Sequence, residues 1–293
     1  MIDQAISPSN TLRLKDGRRL GYAEYGDPTG KLAFFFHGMP GSRLEARFAD
    51  EIARKHALRL IAVDRPGYGL SDFQRGRSFL DWPDDVVELA DALGIERFAV
   101  GGVSGGGPYV AACAYKIPQR LTAAGIVSGV GPFEAPEATQ GMSRQNRLLF
   151  GLARRFPWAV PVPLWLAAQG LRRFPKRAAS FIERSFPEPD RKVLQSHPEV
   201  LDMLLRDAAE AYRPGVRGAA WESIMYARPW GFRLEDISMP VYLWQGEADA
   251  NVPVSMGHYQ AHAIPNCHAT FYAGEGHLLC IDRMPEILAA LLT

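Results

Sequence analysis

The segment Gly101-Gly102-Val103-Ser104-Gly105-Gly106-Gly107-Pro108 restricts the folding of this chain more than any other. An apolar, strand-forming run, Phe98-Ala99-Val100, enters it, and a helix-forming run from Tyr109 to Tyr115 leaves it. A serine at a corner between strand and helix takes a strained backbone conformation that lifts its hydroxyl clear of both elements. Only very small residues two before and two after it avoid a clash, and those positions hold Gly102 and Gly106. The helix that follows points unpaired N–H groups and its positive dipole end at any negative charge forming beside the serine. Glycines around a serine also occur in plain flexible loops, so the rest of the chain has to separate a reactive corner from a hinge.

On either side, apolar runs alternate with helical ones. Thr11 to Tyr25 predicts a hairpin turning at Asp16-Gly17. Leu32 to Phe36 is continuously apolar, as expected of a strand covered on both faces, and runs into His37-Gly38-Met39-Pro40-Gly41-Ser42. Leu44 to His56 has helical periodicity, and Leu58 to Val63 is a second buried strand. A helix around Asp84 to Leu93, the strand before Ser104 and a strand from Leu121 to Val130 follow. The alternation resumes with a strand at Val241 to Trp244, a helix near Val254 to Ala263, a strand at Ala269 to Tyr272 and a closing helix from Pro285 to Leu292. This pattern predicts an α/β fold with a mostly parallel, doubly wound sheet and helices on both faces.

Residues 133–236 differ. Prolines are frequent, strand-like runs are absent, and Arg144 to Lys192 carries eleven Lys and Arg against three Asp and Glu. The expected organisation is therefore a core over residues 1–132, a helical cap over 133–236 and the second part of the core over 237–293. The cap should lie over the C-terminal edge of the sheet, where ligands of open α/β sheets bind.

A length of 293 residues suits one large domain with such an insertion, and 47% hydrophobic and 22% charged residues are ordinary for a globular protein. A net charge of +1 gives no reason to expect nucleic acid. Met1 to Ile6 lacks the basic and then apolar segments of a signal peptide. The longest apolar stretch, Trp158 to Leu171, is short for a bilayer and carries Pro161 and Pro163. Cys113, Cys267 and Cys280 match no metal spacing and read as small buried thiols in a reducing compartment. The expectation is a cytoplasmic protein with a small-molecule substrate, no cofactor, no metal and no stable membrane association, with a homodimer left open.

A serine hydroxyl needs a base to take its proton, commonly a histidine oriented by a carboxylate. His277, in Gly274-Glu275-Gly276-His277, directly follows the last strand, and Asp249, in Gly246-Glu247-Ala248-Asp249, directly follows the strand before it. In a parallel sheet these loops emerge at the edge where Ser104 stands, in the chain order Ser, Asp, His. Asp249 could instead cap the helix near Pro253, and Glu247 or Glu134 are the other carboxylates within reach. Of the seven histidines, His56, His258 and His262 fall in helical stretches and His197 in the insertion. The oxyanion donors are expected to be the N–H groups of Gly105 and Met39, since Pro40 has none.

Together, His37-Gly38, Asp64-Arg65-Pro66-Gly67-Tyr68-Gly69-Leu70-Ser71, Gly102-Val103-Ser104-Gly105-Gly106, Gly246-Glu247-Ala248-Asp249 and Gly274-Glu275-Gly276-His277 resemble the α/β-hydrolase superfamily. The resemblance implies a cap between the sixth and seventh core strands and a cofactor-free reaction through an acyl-enzyme. It implies cleavage of a small ester or related acyl compound by Ser104, His277 and Asp249. Rival readings are carbon–carbon bond hydrolysis of a dienoic ketone acid, and a ligand receptor that keeps the fold. His37-Gly38-Met39-Pro40-Gly41 looks like the proline iminopeptidase loop, although Met39 stands where that family has glycine. An arginine-dense cap is also a poor match for a cationic substrate.

In the cap, Arg144, Arg147, Arg154, Arg155, Arg172 and Arg173 read as solvated helix faces, with carboxylate binding by one or two of them as the sharper alternative. Trp158 and Trp165, with Leu164, Leu166 and Leu171, read as lining of an apolar pocket or as the packing of the cap itself. A lipid-touching surface ranks behind both, because the prolines interrupt a long helix. His37 joins Trp158 and Trp165 as an expected substrate-side residue, although its ring suits bracing of its own loop.

Overall fold

In the computed structural model, which describes residues 9–292, the apolar runs become strands because both faces of the sheet are covered. Met1 to Ile6 lie outside the described residues. β1 (Asn10–Arg13) and β2 (Arg19–Gly26) form the antiparallel hairpin. β3 (Lys31–Phe36) leads through a 3₁₀ turn and α1 (Asp50–Lys55) to β4 (Leu58–Val63). α2 (Trp82–Ala92), β5 (Phe98–Val103), α3 (Gly107–Lys116) and β6 (Leu121–Val127) follow. The sheet order is β1-β2-β4-β3-β5-β6, continued by β7 (Val241–Gly246) and β8 (Cys267–Tyr272). From β4 onwards all neighbours are parallel.

Side chains alternate across the sheet with the period of two that strands impose. Phe34 and Phe36 pack on one face with Ile61, Val63 and Val100. Ala33 and Phe35 pack on the other with Leu60, Ala62 and Ala99. Each fully buried phenylalanine contributes roughly 1.5–3 kcal/mol. Eight such strands form a rigid platform, and every parallel strand ends at one edge.

α10 (Val254–Ala263) and α11 (Leu279–Leu291) close the core. α11 begins six residues earlier than the sequence suggests, with Pro285 inside it. Proline lacks the N–H that would bond back one turn, a cost of about 3 kcal/mol in a helix interior. The stripe Leu279, Met284, Ile287, Leu288 and Leu291 is buried against the sheet and offsets that loss. β6 stops at Val127 rather than Val130, because Ser128 turns into the left-handed region with φ 46° and donates its N–H to Trp244 O at 2.8 Å.

Between β6 and β7 the described chain is helical: α4 (Arg144–Arg155), α5 (Pro161–Arg173), α6 (Pro175–Ser185), α7 (Glu188–Ser196), α8 (Pro198–Ala211) and α9 (Arg217–Tyr226). The first proline-broken segments start new helices because proline fits at a first helical turn.

Candidate active site

β5 delivers Ser104 into a corner where its φ is 55°, a strained value for a residue with a Cβ. A Cβ on Gly102 would come within 2.7 Å of Gly106 O, and one on Gly106 would strike Phe36 O. The corner therefore closes only with glycine on both sides. A short 3₁₀ turn carries the chain from Ser104 into α3.

The loops after β7 and β8 supply the second pair. His277 Nδ1 lies 2.8 Å from Asp249 Oδ2. Asp249 Oδ1 accepts from the N–H groups of Asn251 and Val252 at 2.8 and 2.9 Å, and Gln245 Nε2 donates to Oδ2 at 3.2 Å. With these donors the carboxylate cannot rotate, and it fixes the imidazole with its N–H on Nδ1 and Nε2 free to accept. Asp249 does not cap the helix at Pro253, whose start has no side-chain cap. Glu247 and Glu134 are exposed.

Ser104 and His277 line the same two cavities. One, of about 120 Å³, is closed by Met39, Gly105, Asn146, Phe150 and Asn251. The other, of about 220 Å³, is mostly apolar and is walled by Ile182, Phe186, Val200, Met203, Leu204 and Ile281. A larger cavity of about 550 Å³ shares Phe48, Val200, Met203 and Ile281 with it but holds neither Ser104 nor His277, so size alone does not locate the chemistry.

Burial by itself disfavours a charged imidazole. The carboxyl groups of Asp249, Asp190 and Glu45 outweigh that penalty and raise the His277 pKa above its ordinary 6.5. Glu45 lines the larger of the two cavities. Burial raises its pKa to about 7 against the opposing pull of the Gly38 N–H, Arg65 and His277.

Met39 and Gly105 are neighbours: Met39 N lies 3.3 Å from where a Gly105 Cβ would sit. The Gly38 N–H is taken by Glu45 Oε2 at 2.5 Å. The loop is held from below. Arg65 donates to His37 O and, at 3.0 Å, to Gly38 O.

His37 is fully buried; its Nδ1 is 2.8 Å from Gly38 O and its Nε2 accepts from the Arg65 N–H at 3.1 Å. Burial, then the neighbouring Arg65 charge, push its pKa well below 6.5. It braces the loop and does not face the cavities, so the expectation of a substrate contact is corrected. Trp158 and Trp165 are corrected likewise, being 80% and 52% exposed and lining neither cavity. The six cap arginines named above are exposed, and neither cavity has an arginine in its wall.

The sequence carried no sign of four further groups. Glu222 of α9 is fully buried and accepts from Arg65 Nε (2.7 Å), Arg77 (2.9 Å), Tyr109 (2.6 Å) and Tyr68 (2.8 Å). Burial would raise its pKa, but Arg65 and Arg77 hold it far below the usual carboxylate range. Tyr226 Oη lies 2.8 Å from Gly105 O and 3.1 Å from Glu222, so its proton has two acceptors. Asp190 of α7 accepts the Leu278 N–H at 2.7 Å and presses on Gly276, so the cap steadies the histidine loop. Glu45 is the fourth. Glu222, Tyr226 and Asp190 each reach a partner far along the chain, which no local pattern reveals, whereas Glu45 bonds Gly38 only seven residues away.

Comparison with known proteins agrees with this architecture. A family model described as alpha/beta hydrolase fold matches residues 34–283. The chain is 27% identical over 278 residues to a bifunctional esterase/perhydrolase of Acinetobacter calcoaceticus, covering 90% of this chain and 91% of that protein. Its fold is similar to a thermophilic esterase from Thermogutta terrifontis (TM-score 0.69, 23% identity, 98% of each chain). An enol-lactonase from Burkholderia xenovorans superposes with TM-score 0.70 at 19% identity, over 97% of this chain and 99% of that one.

Proposed function

Because this chain belongs to the alpha/beta hydrolase fold family, we propose that it is a serine hydrolase cleaving a small carboxylic ester or related acyl compound. The observation that carries the reading is the 2.8 Å bond from His277 Nδ1 to Asp249, which leaves Nε2 for cavities that Ser104 also lines. Ser104 Oγ attacks the acyl carbon while its proton passes to His277 Nε2. The bond to the alcohol oxygen breaks, and His277 returns the proton to that oxygen. Water, deprotonated by His277, then attacks the acyl-enzyme and releases the acid and Ser104. The Met39 and Gly105 N–H groups receive the oxyanion; one such donor is worth ~10²–10³ in rate. The apolar 220 Å³ cavity suits the acyl group, and the 120 Å³ cavity, with Asn146 and Asn251, suits a small alcohol portion. The esterase named among its relatives supports the same substrate class.

A fluorophosphonate probe should label Ser104, and Ser104→Ala should lose both labelling and turnover of p-nitrophenyl esters. Labelling of another residue would overturn the assignment. Tight ligand binding without turnover of any ester would favour the receptor reading. Carbon–carbon hydrolysis of a dienoate loses its motive, since no arginine reaches the cavities to hold the acid. A second reading gains one: with the arginines turned outward and Glu45 in the cavity wall, an aminoacyl ester or amide finds a carboxyl group near the nucleophile. Comparing kcat/KM on an aminoacyl ester with that on its deaminated analogue decides between them.

A further inference from the structure

Among the described residues, nine large hydrophobic side chains are exposed, and eight of them fall between Leu148 and Phe181. Trp158 is the most open, followed by Leu148 and Phe181. α5 shows why this is more than loose packing. Leu164, Ala168 and Leu171 form a buried stripe at helical spacing, as a cap helix requires. Val162, Trp165 and Leu166 form a second apolar stripe on the solvent side. A helix serving only the cap needs one such face.

The charge around these side chains is equally uneven. Residues 144–182 hold eight Lys and Arg and no Asp or Glu, in a chain whose total is 33 against 32. All eight cations are exposed. None is in an ion pair with a described carboxylate, whereas ion pairs are common on the rest of the surface. Arg155 lies against the Phe156 ring and Arg177 against the Phe174 ring, so exposed cations and aromatics are interleaved along α4 to α6. No described helix is long and apolar enough to cross a membrane.

We propose that the outer face of α4 to α6 docks on an anionic lipid surface, the tryptophans and leucines entering the interface while the arginines meet the headgroups. The three helices, residues 144–185, carry nine Lys and Arg against the single acid Glu183, a formal charge of +8 that is electrostatically complementary to such a surface. Each cation near it adds to the attraction, and aromatic side chains favour the interfacial depth. A second copy of the chain would bring the same eight unpaired cations against themselves, which disfavours a dimer through this face. The prolines do not oppose lipid contact, because the surface is assembled from three short helices. The inner sides of the same segments reach the cavities: Asn146 and Phe150 of α4 wall the smaller one, and Ile182 of α6 the larger. Docking would therefore set the cavity walls directly behind the interface.

The test is co-sedimentation of the full chain with vesicles of phosphatidylglycerol and phosphatidylcholine, against vesicles of phosphatidylcholine alone. Binding is expected to the anionic vesicles only, to fall at least tenfold in 0.5 M salt, and to fall at least tenfold in the double variant W158S/W165S. That variant should keep its far-UV spectrum and its rate on a water-soluble ester. Absence of binding to anionic vesicles at low salt would overturn the proposal. So would binding that the double variant leaves unchanged, or a dimer in sedimentation equilibrium that the same substitutions abolish.

Discussion

At His277 two opposing effects meet, and under the proposed mechanism their balance sets the working pH of the site. Burial favours the neutral ring; Asp249, Asp190 and Glu45 favour the charged one and prevail. A general base must be neutral, so kcat/KM is expected to rise with pH along a limb centred above 6.5. The stability linkage has the matching sign. A raised histidine pKa stabilises the folded chain fully below pH 6.5, and that contribution is lost as pH rises through the folded value. Asp249→Asn removes the largest attraction and the tautomer control together. Activity should drop on the order of 10⁴-fold, and the residual limb should shift to lower pH. A limb centred at or below 6.5 in the unaltered protein would contradict this electrostatic account, which a pH–rate profile on a soluble ester checks directly.

α9 links the helices between β6 and β7 to the loops that carry Met39 and Gly105. Glu222 grips Arg65, Arg65 holds the His37 and Gly38 carbonyls, and Tyr226 one turn on reaches Gly105 O. Glu222→Gln keeps the shape but leaves Arg65 and Arg77 buried beside a neutral amide. Breaking a buried pair in this way costs about 3–5 kcal/mol, measurable by urea unfolding. Because the network touches main chain rather than substrate, kcat should fall more than KM rises, and Glu222→Asp should recover part of the loss. Equal loss of stability with unchanged kcat would make Glu222 merely structural. The elements themselves were legible in the sequence, since continuous apolar runs and a glycine-bracketed serine are local signals. Glu222 was not, because its partners Arg65 and Arg77 lie 157 and 145 residues away. Trp158 and Trp165 misled for a related reason. Apolar residues on a helix read as buried by default, and only α5 in three dimensions reveals a second apolar face. His277 and Asp249 were legible because each directly follows a strand, and parallel strands bring such loops together.

For the molecule as a whole, the question is whether the cap moves as a separate unit. Four carboxylates from the helices between β6 and β7 reach groups of the core. Asp190 takes the Leu278 N–H at 2.7 Å, and Asp207 takes the Ser42 N–H and hydroxyl at 2.9 and 2.5 Å. Glu210 meets Arg43 at 2.8 Å, and Glu222 meets Arg65 at 2.7 Å. Lifting these helices would strip Arg65 of its counter-ion and part Tyr68 and Met39 from the apolar cluster that holds Leu164, Ala168 and Leu171. These costs are shared between cap and core, so neither part can unfold without weakening the other. Unfolding in urea should therefore be a single transition, with far-UV ellipticity and tryptophan emission superimposable, and amides in α9 and β5 should exchange with similar free energies. An early transition confined to α4 to α9 would show instead that the cap opens alone, and access to Ser104 would then be governed by that opening.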